Sequence, residues 1–266
     1  MDVKQTDKKY IMGTYGRYDI ELTHGKGSTV FSSDGKKYID FGSGIAVNTF
    51  GFADPEYISA VTAQLNKIQH SSNYYYTEPC ARLAELLCTR TGMSRVFFSN
   101  SGAEANECAI KAARKYGTDR DENKNVIITL KNSFHGRTVT TLSATGQDVF
   151  HHSFTPFTEG FVYAEAGNID ELQKAVRENN CCAVMMEMIQ GEGGVIPLDR
   201  AFVDAAAKIA AEHNMLIIVD EVQTGNGRTG TLYAYEQYGL HPDIVTTAKG
   251  LAGGLPIGAT MFAERL

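Results

Sequence analysis

An amine can form an imine only when part of it is uncharged, and Lys249 sits where that state is favoured. It lies between the apolar run Asp243-Ile244-Val245-Thr246-Thr247-Ala248 and the glycine-rich stretch Gly250-Leu251-Ala252-Gly253-Gly254-Leu255-Pro256-Ile257-Gly258. Most lysines occupy polar faces where the ammonium stays hydrated; an apolar pocket lowers the pKa toward the neutral amine. A lysine that snorkels outward or pairs with a local acid fits the same residues. Asp220 follows Met215-Leu216-Ile217-Ile218-Val219, so a carboxylate stands at the end of an apolar run, partly desolvated and in need of a cationic or hydrogen-bonding partner. A protonated pyridine nitrogen would serve. So would a structural role behind a site, or magnesium binding in a nucleotide enzyme, although no GxxxxGK[ST] loop and no GxGxxG after a strand supports a nucleotide. A third group, Ser101-Gly102-Ala103-Glu104-Ala105-Asn106-Glu107, opens a helical stretch directly after a strand. Free N–H groups and the helix dipole there favour a phosphate, while Ser101 with Glu104 also reads as a capping box, the commoner feature of the two.

The elements around these residues place them on one edge. From Arg95 onward, short runs rich in β-branched and aromatic residues (95–99, 126–130, 160–163, 182–187, 215–219, 243–247 and 258–262) alternate with helical segments such as Ile169 to Glu178 and Arg200 to His213. That alternation predicts an α/β fold with a mostly parallel seven-stranded sheet wrapped by helices. In such sheets ligands bind beyond the carboxyl ends of the strands. Ser101, Phe134-His135-Gly136-Arg137, Glu187 to Gly194, Asp220 and Lys249 all follow predicted strands. An anion cradle, an acid and an imine-forming amine on one sheet edge are what pyridoxal phosphate requires. Upstream, alternation across residues 18 to 50 predicts a small hairpin, and helical spacing follows Pro55 and again Pro79.

Composition narrows the partners. The 266 residues are 43% hydrophobic with a net charge of −6, enough to bury a core and without a basic run that could track nucleic acid. The longest apolar stretches fall short of the roughly 20 residues of a membrane span, and Met1 to Tyr10 is charged, so neither membrane nor secretion is expected. The odd set Cys80, Cys88, Cys108, Cys181 and Cys182 contains no CxxC pair, which suits reduced cytoplasmic thiols. No metal site is expected, since adjacent Cys181 and Cys182 would point apart on a strand.

With these motifs the sequence resembles the fold-type I, class III (ω-amino acid) aminotransferases over essentially the whole chain. The resemblance extends to Thr14-Tyr15-Gly16-Arg17, Gly44-Ile45-Ala46-Val47-Asn48, Ser72-Asn73-Tyr74-Tyr75-Tyr76-Thr77-Glu78-Pro79, Phe134-His135-Gly136-Arg137-Thr138 and Gln190-Gly191-Glu192-Gly193-Gly194; Val219 to Gly258 is its most specific part. It implies a pyridoxal 5'-phosphate cofactor, with Ser101, Gly102 and Ala103 on the phosphate and Phe134 and Val222 on opposite ring faces. Gln223 would bond the phenolic oxygen, Asp220 the ring nitrogen and Lys249 the aldehyde carbon. Arg137, helped by Tyr15, resembles the arginine that grips a substrate carboxylate, and Glu192 resembles a gate glutamate that pairs with a distal arginine. Tyr15 and Tyr76 also read as packing aromatics.

The implied reaction passes an amino group from a small-molecule donor to 2-oxoglutarate, in a cytoplasmic homodimer. The rival readings are another ω-aminotransferase of the same class, acting on ornithine, succinylornithine or 4-aminobutyrate, and a non-catalytic cofactor-binding fragment. Two departures from the family pattern stand out. Gly51-Phe52-Ala53-Asp54-Pro55 replaces the usual Gly-His-x-His-Pro, with an altered helix start as the expected result. Relatives also continue past the position of Leu266, so the small C-terminal domain, the arginines for Glu192 and the α-carboxylate, and a threonine that reaches the neighbouring phosphate are expected to be missing. The expected organisation is an N-terminal segment, 1–54, and a truncated cofactor-binding large domain, 55–266.

Overall fold

Strands buried on both faces read as unbroken apolar runs, and the seven runs after Arg95 form one sheet. The computed structural model describes residues 2–266 and divides into two compact units, with Tyr74 ending the first and Tyr75–Leu266 forming the second. The sequence pattern changes at Pro55, but a change of secondary structure is not a change of core: the helix that begins there belongs to the first unit.

In the first unit, α1 (Val3–Tyr10) starts where the Asp2 side chain accepts the Gln5 N–H, and it buries no residue. The expected hairpin has three antiparallel strands, β1 (Leu22–Lys26), β2 (Thr29–Ser32) and β3 (Lys37–Ile39). A single distorted turn, α2 (Ser43–Ala46), carries Gly44 and Ile45 at positive φ. The altered Gly51-to-Pro55 segment starts α3 (Pro55–Leu65): Asp54 accepts the Tyr57 N–H and Pro55 occupies the first turn, where its missing N–H is no loss.

The second unit opens with α4 (Glu78–Thr91), which ends at Gly92 in the left-handed conformation. There follow β4 (Arg95–Ser99), α5 (Gly102–Thr118), β5 (Val126–Leu130), α6 (Val139–Ala144), β6 (Phe161–Ala164), α7 (Ile169–Glu178) and β7 (Cys181–Met186). A two-stranded ribbon, β8 (Ile189–Gln190) and β9 (Ile196–Pro197), precedes α8 (Arg200–Glu212), β10 (Leu216–Asp220), β11 (Ile244–Ala248) and β12 (Gly258–Phe262). The seven-stranded order is β4-β12-β11-β10-β7-β5-β6. It is mostly parallel; β12 runs antiparallel to both β11 and β4.

Side chains alternate between two cores, one on each face. Ile217 and Val219 of β10 join Leu172, Phe202 and Met186 on one side, whereas Leu216 and Ile218 join Ala109, Ile110 and Met185 on the other. Each fully buried Ile or Leu contributes about 1.5–3 kcal/mol. Helix α5 lies over β11 and β12, and Ala105, Ala109, Ala113 and Gly117 are buried along it at four-residue spacing, small residues that let it sit close to the sheet.

Candidate active site

Strands β10 and β11 run parallel as neighbours, with Asp220 paired to Thr246, so Asp220 and Lys249 emerge at the same sheet edge. Lys249 follows β11 with its backbone at φ 46°, a left-handed conformation that costs about 1–3 kcal/mol outside glycine. Its ammonium has no hydrogen bond or ion pair among the described residues. Burial pulls its pKa down, opposed by the carboxylates of Asp220, Glu192 and Glu187, which places all three within electrostatic reach of the amine.

Asp220 is 4% exposed and fully engaged. Oδ2 accepts from Asn106 Nδ2 at 2.7 Å and from His135 Nδ1 at 2.8 Å, and Oδ1 accepts from the Val222 N–H at 3.0 Å. Asn106 is itself held: Thr246 Oγ1 donates to its Oδ1 at 2.7 Å, and its Nδ2 also donates to the His135 carbonyl at 2.7 Å. Donors from α5, from the loop after β5 and from the residue after next thus converge on one buried carboxylate, which burial without partners would penalise heavily.

The start of α5 meets this web. Ser101 caps the helix by accepting the Glu104 N–H, and the Glu104 carboxylate returns to the Asn100 N–H at 2.7 Å. The capping reading therefore holds for the Ser101 side chain. Gly102 and Ala103 occupy the first two helical positions, whose N–H groups lack intrahelical acceptors. A Cβ on Gly102 would meet Val222 Cγ1 at 2.7 Å, and one on Gly136 would meet the Ala103 Cβ at 3.0 Å. The structure so brings Gly102, Ala103, Val222 and the Phe134–Arg137 loop together.

Phe134 is half-buried, packs edge-on against Phe150 with centroids 5.9 Å apart, and has the Arg137 guanidinium 5.7 Å from its ring centre. Arg137 also lies 5.4 Å from the Phe150 ring, an arrangement that holds the guanidinium at the surface with its donor edges available. Glu192 sits in the loop closed by β8 and β9, and its Oε1 accepts from Gln223 Nε2 at 3.1 Å. Tyr15 is 64% exposed in the first unit and is the one candidate outside the second.

Several participants were not named from sequence as site residues: Asn106, His135, Thr246, Phe150 and Glu187. Asn106 had a signal, a polar residue sharing the helical face of Ile110, Ala113 and Gly117. Glu187 had another, an acid ending an apolar run. His135, Glu187 and Asp220 place ligand atoms within 4.8 Å of one another, a spacing a metal ion could use. The His135–Asp220 hydrogen bond already engages both groups, so the trio reads better as a hydrogen-bonded acid cluster.

A mixed α/β sheet with an acid, an amine and a helix start on one edge defines a class of enzyme scaffold. Residues 12–266 match the family described as Aminotransferase class-III, and the chain belongs to that family. It is 53% identical over 265 residues to an acetylornithine aminotransferase of Haemophilus ducreyi, covering 99% of this chain and 67% of that one. It is 45% identical to a succinylornithine transaminase of Citrobacter koseri, covering 97% and 63%. The ornithine aminotransferase structure of Toxoplasma gondii superposes with a TM-score of 0.93 at 32% identity, covering 98% of this chain and 62% of that one. The chain thus spans about two thirds of the length of these relatives.

Proposed function

We propose that the chain carries the cofactor site of a pyridoxal-phosphate-dependent aminotransferase that takes the δ-amino group of N-acetylornithine and delivers it to 2-oxoglutarate, a step of arginine biosynthesis. The observation that carries this reading is the half-buried, unpaired Lys249 amine beside the fully engaged Asp220 carboxylate, on neighbouring parallel strands. The residues fit the cofactor: Gly102 lets Val222 approach the start of α5 closely, and the first N–H groups of that helix, which lack intrahelical acceptors, suit a phosphate.

When bound, pyridoxal phosphate supplies an electron sink for the pair left at the substrate carbon. Asp220 holds a proton at the ring nitrogen, its orientation set by Asn106, His135 and the Val222 N–H. Lys249 anchors the cofactor and, once released, moves a proton at the substrate carbon; its lowered pKa keeps more of it in the form that can accept one. Arg137 binds a substrate carboxylate through its planar fork. Glu192, tied to Gln223, stands where a second carboxylate would have to be excluded or admitted. The same reading has the protein as a cytoplasmic homodimer. Supporting that are free cysteines at all five positions and the exposed Tyr75, Tyr76 and Phe97, apolar surface that a second copy would cover.

Borohydride reduction of the cofactor-loaded chain should fix the label on Lys249, read by peptide mass spectrometry. Lys249→Ala that retains the same covalent label would sink the assignment. Ranking kcat/KM for acetylornithine, succinylornithine and ornithine tests the donor: a preference for either of the last two would transfer the chain to the activity of the corresponding relative. Uptake of cofactor with no turnover of any donor would leave a binding fragment.

A further inference from the structure

Strand β11 continues two residues past its pairing with β10, which ends at Asp220 opposite Thr246. Just beyond, the Glu221 N–H donates to the Thr246 carbonyl at 2.8 Å. Backbone groups of a strand face the same neighbour at every second residue, so the Ala248 carbonyl points to the side that the chain leaves after Glu221. A side chain takes the place of the departed strand. Asn226 Nδ2 donates to the Ala248 carbonyl at 3.0 Å and to Thr247 Oγ1 at 3.1 Å.

The Ala248 carbonyl belongs to the peptide plane that leads into Lys249, and Lys249 stands at φ 46°, a range that crowds any residue with a Cβ. That plane and that φ together set the direction in which the lysine side chain leaves the strand. With the plane held, the direction is fixed. With the plane released, φ relaxes toward negative values and swings the Cβ, and the amine beyond it, off line. Asn226 is itself at φ 58°, where asparagine is one of the few side chains tolerated. A turn alone would explain that conformation, and glycine would serve it equally. The two bonds into β11 are what a turn leaves unexplained.

We propose that Asn226 is a positioning residue for Lys249: its amide, bonded to the Ala248 carbonyl and the Thr247 hydroxyl, holds the left-handed turn from which the amine reaches the cofactor's aldehyde carbon. This rests on the reading of Lys249 as the cofactor's anchor. In that reaction the neutral lysine nitrogen forms a double bond to the carbon, the carbonyl bond breaks, and its oxygen leaves as water with the two amine protons. The loop after Asp220 then serves both ends of the site, since its Val222 and Gln223 meet the ring in the proposed site and its Asn226 fixes the lysine.

The test compares pyridoxal phosphate with pyridoxamine phosphate, which has the same ring, phenolic oxygen and phosphate but an amine in place of the aldehyde, and so binds without joining Lys249. Dissociation constants for both are measured by absorbance and calorimetric titration of the parent chain, Asn226→Gly and Asn226→Asp. Glycine keeps the left-handed backbone without the amide; aspartate keeps the shape but puts an acceptor where the donor stands. In each variant the preference for the aldehyde over the amine should fall about tenfold, as expected when only about a tenth of the molecules hold the lysine in place. Binding of pyridoxamine phosphate to Asn226→Gly should stay as in the parent. Should Asn226→Gly fail to fold, Asn226→Asp decides on the same ratio. A preference unchanged in either variant that still binds, or loss of both ligands by both variants, which would make the residue merely structural, overturns the proposal alone. A parent whose Lys249 takes no borohydride label overturns the underlying reading and the proposal together.

Discussion

A Cβ placed on Gly191 would stand 2.1 Å from Gln223 Oε1 and 2.6 Å from its Cδ. The glycine is therefore what allows the amide to lie over the loop and donate to Glu192. Since the clash meets the far end of a flexible side chain, Gly191→Ala should swing Gln223 aside with little strain and change stability by less than about 1 kcal/mol. Cofactor affinity is the sensitive quantity, because in the proposed site that amide serves the phenolic oxygen. Loss of one hydrogen bond predicts about a tenfold weaker Kd for pyridoxal phosphate, measurable by absorbance titration. An unchanged Kd alongside an unchanged melting temperature would take Gln223 out of the site.

At the scale of elements, Gly117 in α5 sets two effects against each other. Alanine in a helix interior is favoured over glycine by about 1 kcal/mol, yet a Cβ there would lie 2.0 Å from the Lys124 carbonyl oxygen and 2.6 Å from the Cys182 Cβ. Backbone and a buried strand residue cannot yield cheaply, so Gly117→Ala should destabilise the chain by about 2 kcal/mol net, read from urea unfolding; a stabilised variant would show that α5 can lift off the sheet. Such closeness was not legible in the sequence, although the elements themselves largely were. The run at 126–130 became Val126–Leu130 and that at 258–262 became Gly258–Phe262, because strands covered on both faces need unbroken apolar stretches. That same pattern reports burial and not neighbours, so it could not reveal that β12 inserts antiparallel between β4 and β11. Helix α1 carries no buried face and so left no apolar stripe to read. Asp220, Lys249 and Gly102 announced themselves by chemistry at strand ends. Asn106 and His135 did not, since their partnership with Asp220 spans 114 and 85 residues of sequence and appears only once the strands are ordered.

For the molecule as a whole, the acid beside Asp220 makes stability depend on pH. Glu221 is fully buried, and burial raises its pKa from 4.5 to about 7 despite hydrogen bonds from the Thr224 hydroxyl and the Ala234 and Tyr235 N–H groups. A folded-state pKa above the unfolded one means that folding takes up a proton. The contribution to stability is therefore full below about pH 4.5 and is lost as pH rises through about 7. Its size is bounded by about 3 kcal/mol, from the cited shift at 1.36 kcal/mol per unit. Glu187 is displaced in the same direction and adds to the trend. Asp34 is displaced oppositely, to about 2, but as an exposed group it contributes little to the global balance. Glu221→Gln supplies a permanently neutral side chain that can still accept the same N–H groups. Unfolding free energies from urea titrations should then coincide for parent and variant near the acid end and diverge toward neutrality, with the variant the more stable by about 1–3 kcal/mol. Histidine titration cancels in that difference, because both chains carry the same histidines. Parallel curves across the whole window would show that the buried acid gains or loses no proton on folding.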